Sequence, residues 1–161
     1  WSKPVVDVCG TPGAPLVEAA AEPLAQVRNA VLDAARDCAP LNRSFVFTAT
    51  LFADNREDRD SFEEIEEIAA MRGMFFLPVR LECSDAELRA RAGRADRVAL
   101  RKITDGDALL EAIAGRETLR SGLEEELVID TANTPIDLAA DRIFARLDQM
   151  EREMAAMLAF D

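Results

Sequence analysis

The chain has 161 residues, about half of them apolar, with a formal net charge of -12 and neither His nor Tyr. That length is enough for one domain with a substantial core, and the absence of His excludes imidazole acid–base chemistry and His-ligated metal. The acidic balance argues against broad binding to nucleic acid or to anionic membranes. Cys9, Cys38 and Cys83 are widely spaced and form no Cys-x-x-Cys pair, so neither a zinc site nor a disulfide framework is expected. With no signal peptide and no apolar run of membrane-spanning length visible, the expected home is the reducing cytoplasm.

Residues 4–9, β-branched around Asp7, read as a short strand, and the Gly/Pro cluster at 10–15 ends it. Strand, glycine turn and apolar helix together look like the opening of a phosphate-binding loop. That motif needs Gly-x-x-x-x-Gly-Lys-Ser/Thr, however, and counting from Gly10 the last three positions are Pro15, Leu16 and Val17. Residues 16–38 are expected to be helical, with Pro23 breaking or restarting the helix and Pro40 ending it. Leu24, Val27, Val31, Leu32 and Ala35 form the apolar stripe, with Arg28 and Asn29 beside it. Arg28 has Asp33 and Glu22 as surface ion-pair candidates.

A second strand is predicted over residues 44–51, apolar on both faces as in a buried parallel sheet. Open α/β sheets bind ligands at the carboxyl ends of their strands, so Thr48 and Thr50 are ligand-facing candidates, with strand-end capping as the competing role. Residues 54–60 read as a charged loop. Ser61, with Glu64 three residues on, predicts a capped helix running to Met71, and Arg72-Gly73 supplies its terminal cation and stop. Phe62, Ile65, Ile68 and Ala69 form its inner face, and Glu63, Glu64, Glu66 and Glu67 a solvated outer one.

Residues 75–83 form the next strand, and Ser84 with Glu87 is a second capping box. After it come Arg89, Arg91, Arg94, Arg97, Arg101 and Lys102, six cations in an acidic chain. Arg91, Arg94, Arg97 and Arg101 recur at helical spacing and would share one face of a continuous helix. Such a row suits phosphate, because the guanidinium fork offers paired donors. It equally suits a solvated face neutralised by Glu82, Asp85, Glu87 and Asp96. A helix is expected over 107–114, a loop or second short helix over 115–122 and the last strand over 125–130. The turn Thr131-Ala132-Asn133-Thr134-Pro135 opens a final helix carrying Ile136, Ala139, Ala140, Ile143 and Leu147 at helical spacing. A helical Met- and Ala-rich tail, 149–161, follows the domain at 1–148 and offers a surface for docking on the domain or for self-association.

The segment Cys83-Ser84-Asp85-Ala86-Glu87-Leu88, then Arg91, Ala95-Asp96-Arg97 and Lys102-Ile103-Thr104-Asp105, resembles the lid (about 86–105) of small P-loop kinases. These are the adenylate-kinase-like and shikimate-kinase-like proteins often labelled AAA-type ATPases. The resemblance runs over residues 26–147, about three quarters of the chain, and includes Ser44-Phe45-Val46-Phe47-Thr48 and Leu127-Val128-Ile129-Asp130-Thr131. It implies a three-layer α/β/α sandwich with a mainly parallel sheet. It also implies an ATP- and Mg2+-dependent phosphotransferase acting on a small hydroxylated molecule. In that reading Arg91, Arg97 and Lys102 clamp phosphates as lid cations. Asp7 is an acceptor-side base or anchor, Arg28 and Asn29 (in Gln26-x-Arg28-Asn29) line the acceptor side, and Thr131, Ala132 and Asn133 pass the adenine, with a plain strand-to-helix turn capped by Asp130 or Thr134 as the competing reading. Thr48 faces nucleotide or magnesium, and the metal-holding carboxylate usual at that strand end has no counterpart in register, Asp54 being nearest.

Two assignments of residues 4–9 remain open. They are the second strand of such a fold, with the phosphate loop upstream and the first strand lacking here, or the first strand with a degenerate loop. The second assignment leads to a non-catalytic protein of this fold that serves as a binding or interaction module.

Overall fold

The computed structural model describes residues 18–95, 97 and 102–159. Asp7, the turn at 10–15 and Arg101 lie outside the described residues. Within them the chain is mixed α/β, with five α-helices and a two-stranded parallel sheet.

A 3-10 turn, Glu18–Ala20, leads into α1, Ala21–Asp37. Pro23 neither breaks nor restarts the helix. It is the third residue of α1, in the first turn, where a backbone N–H has no intrahelical acceptor to lose. Leu32 and Ala35 carry the buried side of α1.

Residues 44–50 correct the sequence expectation, because they form no strand. The stretch is largely exposed, Val46 at 91%. Order returns only at its end, where Phe52 bridges antiparallel to Thr118 and the Leu119 amide donates to the Leu51 carbonyl at 2.9 Å. Apolar residues on both faces predict a central strand only when neighbouring strands cover both edges. Among the described residues, none lies beside this segment.

α2 spans Arg56–Met71 and so starts five residues before the predicted Ser61. Asn55 is the cap, its side chain accepting from the Glu57 amide at 3.0 Å, and most of the expected charged loop is helix. Ser61 sits inside the helix, 6% exposed, and its hydroxyl donates back to the Glu57 carbonyl at 2.6 Å. The stop matches expectation. Gly73 takes φ +62°, and the Gly73 and Met74 amides reach back to the Ala70 and Ala69 carbonyls at 3.0 and 2.9 Å, the two bonds of a Schellman ending.

Arg72, at that ending, joins α2 to α1. Its Nη1 donates to the carbonyls of Ala35 and Ala39 at 2.8 and 3.1 Å, and Nη2 to Pro40 at 2.6 Å. The last carbonyls of α1 have no helical partner of their own, and the guanidinium fork meets one of them, Ala35, together with two from the turn that follows, Ala39 and Pro40. The Phe45 ring covers it at 5.6 Å.

The sheet pairs β1, Val79–Glu82, with β2, Leu127–Asp130, in the register Val79 to Leu127 through Glu82 to Asp130. Both cores were predicted, with longer bounds. Ile129 is fully buried beneath the sheet, and Leu32 and Ile68 supply buried groups from α1 and α2. α3, Asp85–Ala92, follows β1, and α4, Gly106–Ile113, packs against α3. Gly106 makes that approach feasible, since a Cβ there would lie 2.5 Å from Arg89 Cγ and 2.9 Å from the Arg89 carbonyl. α5, Ile136–Leu158, is one uninterrupted helix from its start at Pro135. The helical tail expected after the domain continues this helix as far as Leu158. No helix among the described residues is long and apolar enough to cross a membrane.

Arg72→Ala should lower unfolding free energy by about 2–3 kcal/mol, the scale of a charged donor lost from buried acceptors. Arg72→Lys should recover only part of it, because one ammonium cannot reproduce the fork. Urea denaturation of the three proteins measures this, and an unchanged midpoint for Arg72→Ala would refute the clamp.

Candidate functional site

The lid-like segment is built differently from one continuous arginine face. Ser84 caps α3 as predicted, accepting from the Glu87 amide at 3.3 Å. The other half of the capping box does not form, because the Glu87 carboxylate accepts from Arg91 Nε at 2.6 Å. α3 ends at Ala92 with Gly93 as its cap, so Arg94 and Arg97 do not continue the helical row that Arg91 begins. Glycine lowers helix propensity by about 1 kcal/mol against alanine, and a row of like charges on one face opposes continuation as well.

Arg91 is the most engaged of the predicted site residues. Besides Glu87, it donates from Nη1 to Thr131 Oγ1 at 2.9 Å and from Nη2 to the Thr131 carbonyl at 2.7 Å. Thr131 in turn donates to the Glu82 carbonyl through its amide at 2.8 Å and its hydroxyl at 3.0 Å. Two residues assigned to different parts of a nucleotide site, Arg91 and Thr131, are thus brought together at the carboxyl ends of both strands. That end of a parallel sheet is where ligands bind in open α/β folds.

The other predicted positions in this region have local partners. Asn133 Nδ2 donates to Asp130 Oδ2 at 2.6 Å and the Ala132 amide to Asp130 Oδ1 at 2.9 Å. These bonds, the Asn133 amide foremost, hold the exposed Asp130 carboxyl below the usual aspartate range. Arg97 Nε donates to the Ile103 carbonyl at 3.1 Å, and Lys102 is exposed. Asp105, in the Lys-Ile-Thr-Asp step, is the cap of α4, accepting from the Asp107 and Ala108 amides at 2.8 and 3.0 Å.

Arg28 and Asn29 lie elsewhere, on α1 facing α2. Arg28 pairs with neither Asp33 nor Glu22. It donates from Nη1 to Ser61 Oγ at 2.5 Å and from Nε and Nη2 to Asn29 Oδ1, both at 3.2 Å. A groove of about 340 Å3 opens here, in which Arg28 is flanked by Glu22, Glu57, Asp60 and Glu64. Those four carboxylates disfavour a second anion beside Arg28. Thr48 is exposed and makes no hydrogen bond among the described residues.

No protein-family model, no curated protein and no solved structure matches this chain. The chemistry of the site therefore rests on its own geometry.

Asp54, the nearest carboxylate to the expected metal position, is held by Arg116. The Arg116 guanidinium reaches both carboxylate oxygens, at 3.0 to 3.2 Å, and stacks 3.8 Å above the Phe52 ring. The Arg116 hydrogen bond holds the exposed Asp54 carboxyl below its ordinary range. Among the described residues no group of three or more metal-ligating side chains converges.

Sequence reasoning missed the most shielded ion pair described. Glu126 is 12% exposed and its Oε1 accepts from Arg80 Nε at 2.6 Å, while Oε2 accepts the Ser121 amide and hydroxyl at 2.6 and 2.5 Å. Arg80 also pairs with Glu82. Only the register of β1 on β2 brings residues 80 and 126 together, so spacing along the chain holds no signal for the pair.

Burial alone would push the Glu126 carboxyl up. The bonds from Ser121 and Arg80 outweigh burial and leave it below the usual glutamate range. A depressed carboxyl stabilises the fold above its unfolded value, about 4.3, and that contribution is lost as pH falls below it. Glu126→Gln should therefore cost about 1–3 kcal/mol at neutral pH. The gap should narrow as pH falls below that unfolded value and through the lower folded one, where the native carboxyl protonates. Thermal unfolding between neutral pH and pH 3 reads this, and a gap independent of pH would show that the charge is immaterial.

Proposed function

We propose that this chain is a non-catalytic binding and interaction module with likeness to P-loop kinases. The observation that carries the reading is the internal use of the lid-like cations. Arg91 ties the end of β1 to the turn after β2, and Arg97 is bonded to the Ile103 carbonyl. A phosphate clamp works by aiming preorganised donors at the place where charge develops. Here the same donors point at backbone, Thr131 and Glu87, and withdrawing Arg91 would remove the tie between α3 and the turn after β2. Thr131 and Asn133 are likewise bonded to the strand end and to Asp130 rather than directed outward.

One observation favours the kinase reading as the alternative: Arg91 and Thr131 meet at the carboxyl end of a parallel strand pair. In that reading the chain completes a three-layer α/β/α sandwich, binds ATP and Mg2+, and phosphorylates a small hydroxylated acceptor. Arg91 would exchange Thr131 for phosphate oxygens, joined by Arg97 and Lys102, with Asp7 on the acceptor side.

Thermal unfolding with and without millimolar Mg-ATP separates the two readings. A ligand at a hundred times its dissociation constant stabilises by about 2.7 kcal/mol, so the kinase reading requires a clear upward shift, diminished in Arg97→Ala. The module reading requires no shift. It also requires Arg91→Ala to lower the melting temperature of the ligand-free chain, since the arginine is then a strand clamp. A nucleotide shift abolished by Arg91→Ala or Arg97→Ala would overturn it.

A further inference from the structure

The two edges of the sheet are unlike. In a parallel ladder each residue directs both its amide and its carbonyl to the same side, and neighbouring residues alternate. Leu127 and Thr131 donate to the Pro78 and Glu82 carbonyls, so the even residues of β1 face β2. Val79 and Leu81 face outward, and among the described residues their outward backbone groups have no partner. On the outer edge of β2, by contrast, one outward group is engaged, the Val128 carbonyl. Arg142 of α5 donates to the Val128 carbonyl at 3.2 Å, and α5 packs on that strand.

An open edge is a template for another strand unless shortness, charge, Pro or a bulge blunts it. β1 reads Val-Arg-Leu-Glu, without Lys, Pro or a bulge; its two charges are opposite in sign, and Leu81 is 62% exposed.

We propose that the open edge of β1 pairs with β1 of a second copy of this chain, antiparallel and centred on Leu81. The sequence around Leu81 is complementary to itself under that symmetry. A two-fold axis at Leu81 sets Arg80 opposite Glu82 of the second copy and Glu82 opposite its Arg80. Opposed charges of this kind are among the cross-strand pairs that stabilise an antiparallel ladder, and an isologous contact makes each of them twice.

Arg80 and Glu82 already pair within one chain; the Arg80 side chain is only 16% exposed and its Nε is held by Glu126, so the cross-pair is made by the 51% exposed Glu82 reaching to the Arg80 of the second copy. On the opposite face the two Leu81 side chains would cover each other. The Leu81 amide and carbonyl of each copy would exchange bonds with those of the other, giving one four-stranded sheet. A four-residue edge lies below the 1,200–2,000 Å2 of a typical stable interface, so the pair should exchange rapidly and form more dimer as concentration rises. This inference rests on the module reading, for which it names the partner.

Cysteine trapping tests the register. Directly opposed antiparallel residues that share both bonds have Cα atoms about 5.5 Å apart, within disulfide range. In a Cys9→Ser, Cys38→Ser, Cys83→Ser background, Leu81→Cys should form an intermolecular disulfide in glutathione buffer. It should do so at least about tenfold faster than Leu138→Cys, an exposed control on α5, because pairing raises the local thiol concentration. Sedimentation of the unmutated chain should show a monomer–dimer equilibrium that Leu81→Lys shifts to monomer with unchanged circular dichroism. A monomer at every concentration, or equal trapping rates at the two positions, would overturn self-pairing. The module reading has its own readout in the nucleotide shift, so the two can fail separately.

Discussion

The junction of Arg91, Thr131 and Glu82 is the constraint on which the arrangement of the described chain depends. A two-stranded parallel sheet of four-residue strands is marginal by itself, and parallel pairing is slightly weaker per residue than antiparallel. Side chains secure this one at both ends. Arg80 and Glu126 close the start of the pair, and Glu126 also ties down the Ser121 loop. At the other end Thr131 bonds the last carbonyl of β1 and Arg91 grips Thr131. Because Arg91 belongs to α3, the same contact fixes how the helix leaves the strand. The α3–α4 packing that passes through Arg89 and Gly106 follows from it.

Several arginines of this acidic chain perform structural tasks. Arg72 meets carbonyls at the end of α1 and in the turn that follows, Arg80 neutralises a shielded glutamate, Arg91 joins the strand ends, and Arg116 lies between Asp54 and the Phe52 ring. Each uses the fork geometry, so that several acceptors at fixed positions are met by one side chain, which lysine could not do. A cation cluster in the sequence is thus ambiguous in a specific way. The donors suited to a ligand's oxygens are equally suited to carbonyls at helix and strand ends, and only the fold decides which acceptors arrive first.

What the sequence disclosed follows the same division between local and distant causes. The Ser84 cap, the Arg72-Gly73 stop, the cores of β1 and β2 and the long α5 were legible because each is determined by neighbours within a few residues. Ser61 misled because its spacing to Glu64 copies a capping box, whereas Asn55 was nearer the true start and could cap equally well. Residues 44–50 misled because an apolar run specifies burial, while strand formation also needs a partner backbone. The arginine row was legible as a pattern, but its continuity failed at Gly93. Arg80–Glu126, Arg91–Thr131 and Arg72 with the end of α1 join residues more than thirty positions apart, and no local rule anticipates them.

The unequal edges of the sheet connect these observations to function. Arg142 of α5 occupies the outward Val128 carbonyl of β2, and among the described residues no side chain does the same for Val79 or Leu81 of β1. The Arg80–Glu126 pair fixes the backbone at the start of the open edge, so a strand approaching β1 meets an already ordered template. Preorganisation of that kind lowers the entropy lost on association. The clamps that make a short parallel pair persist thus also keep one of its edges in a shape that another strand can read.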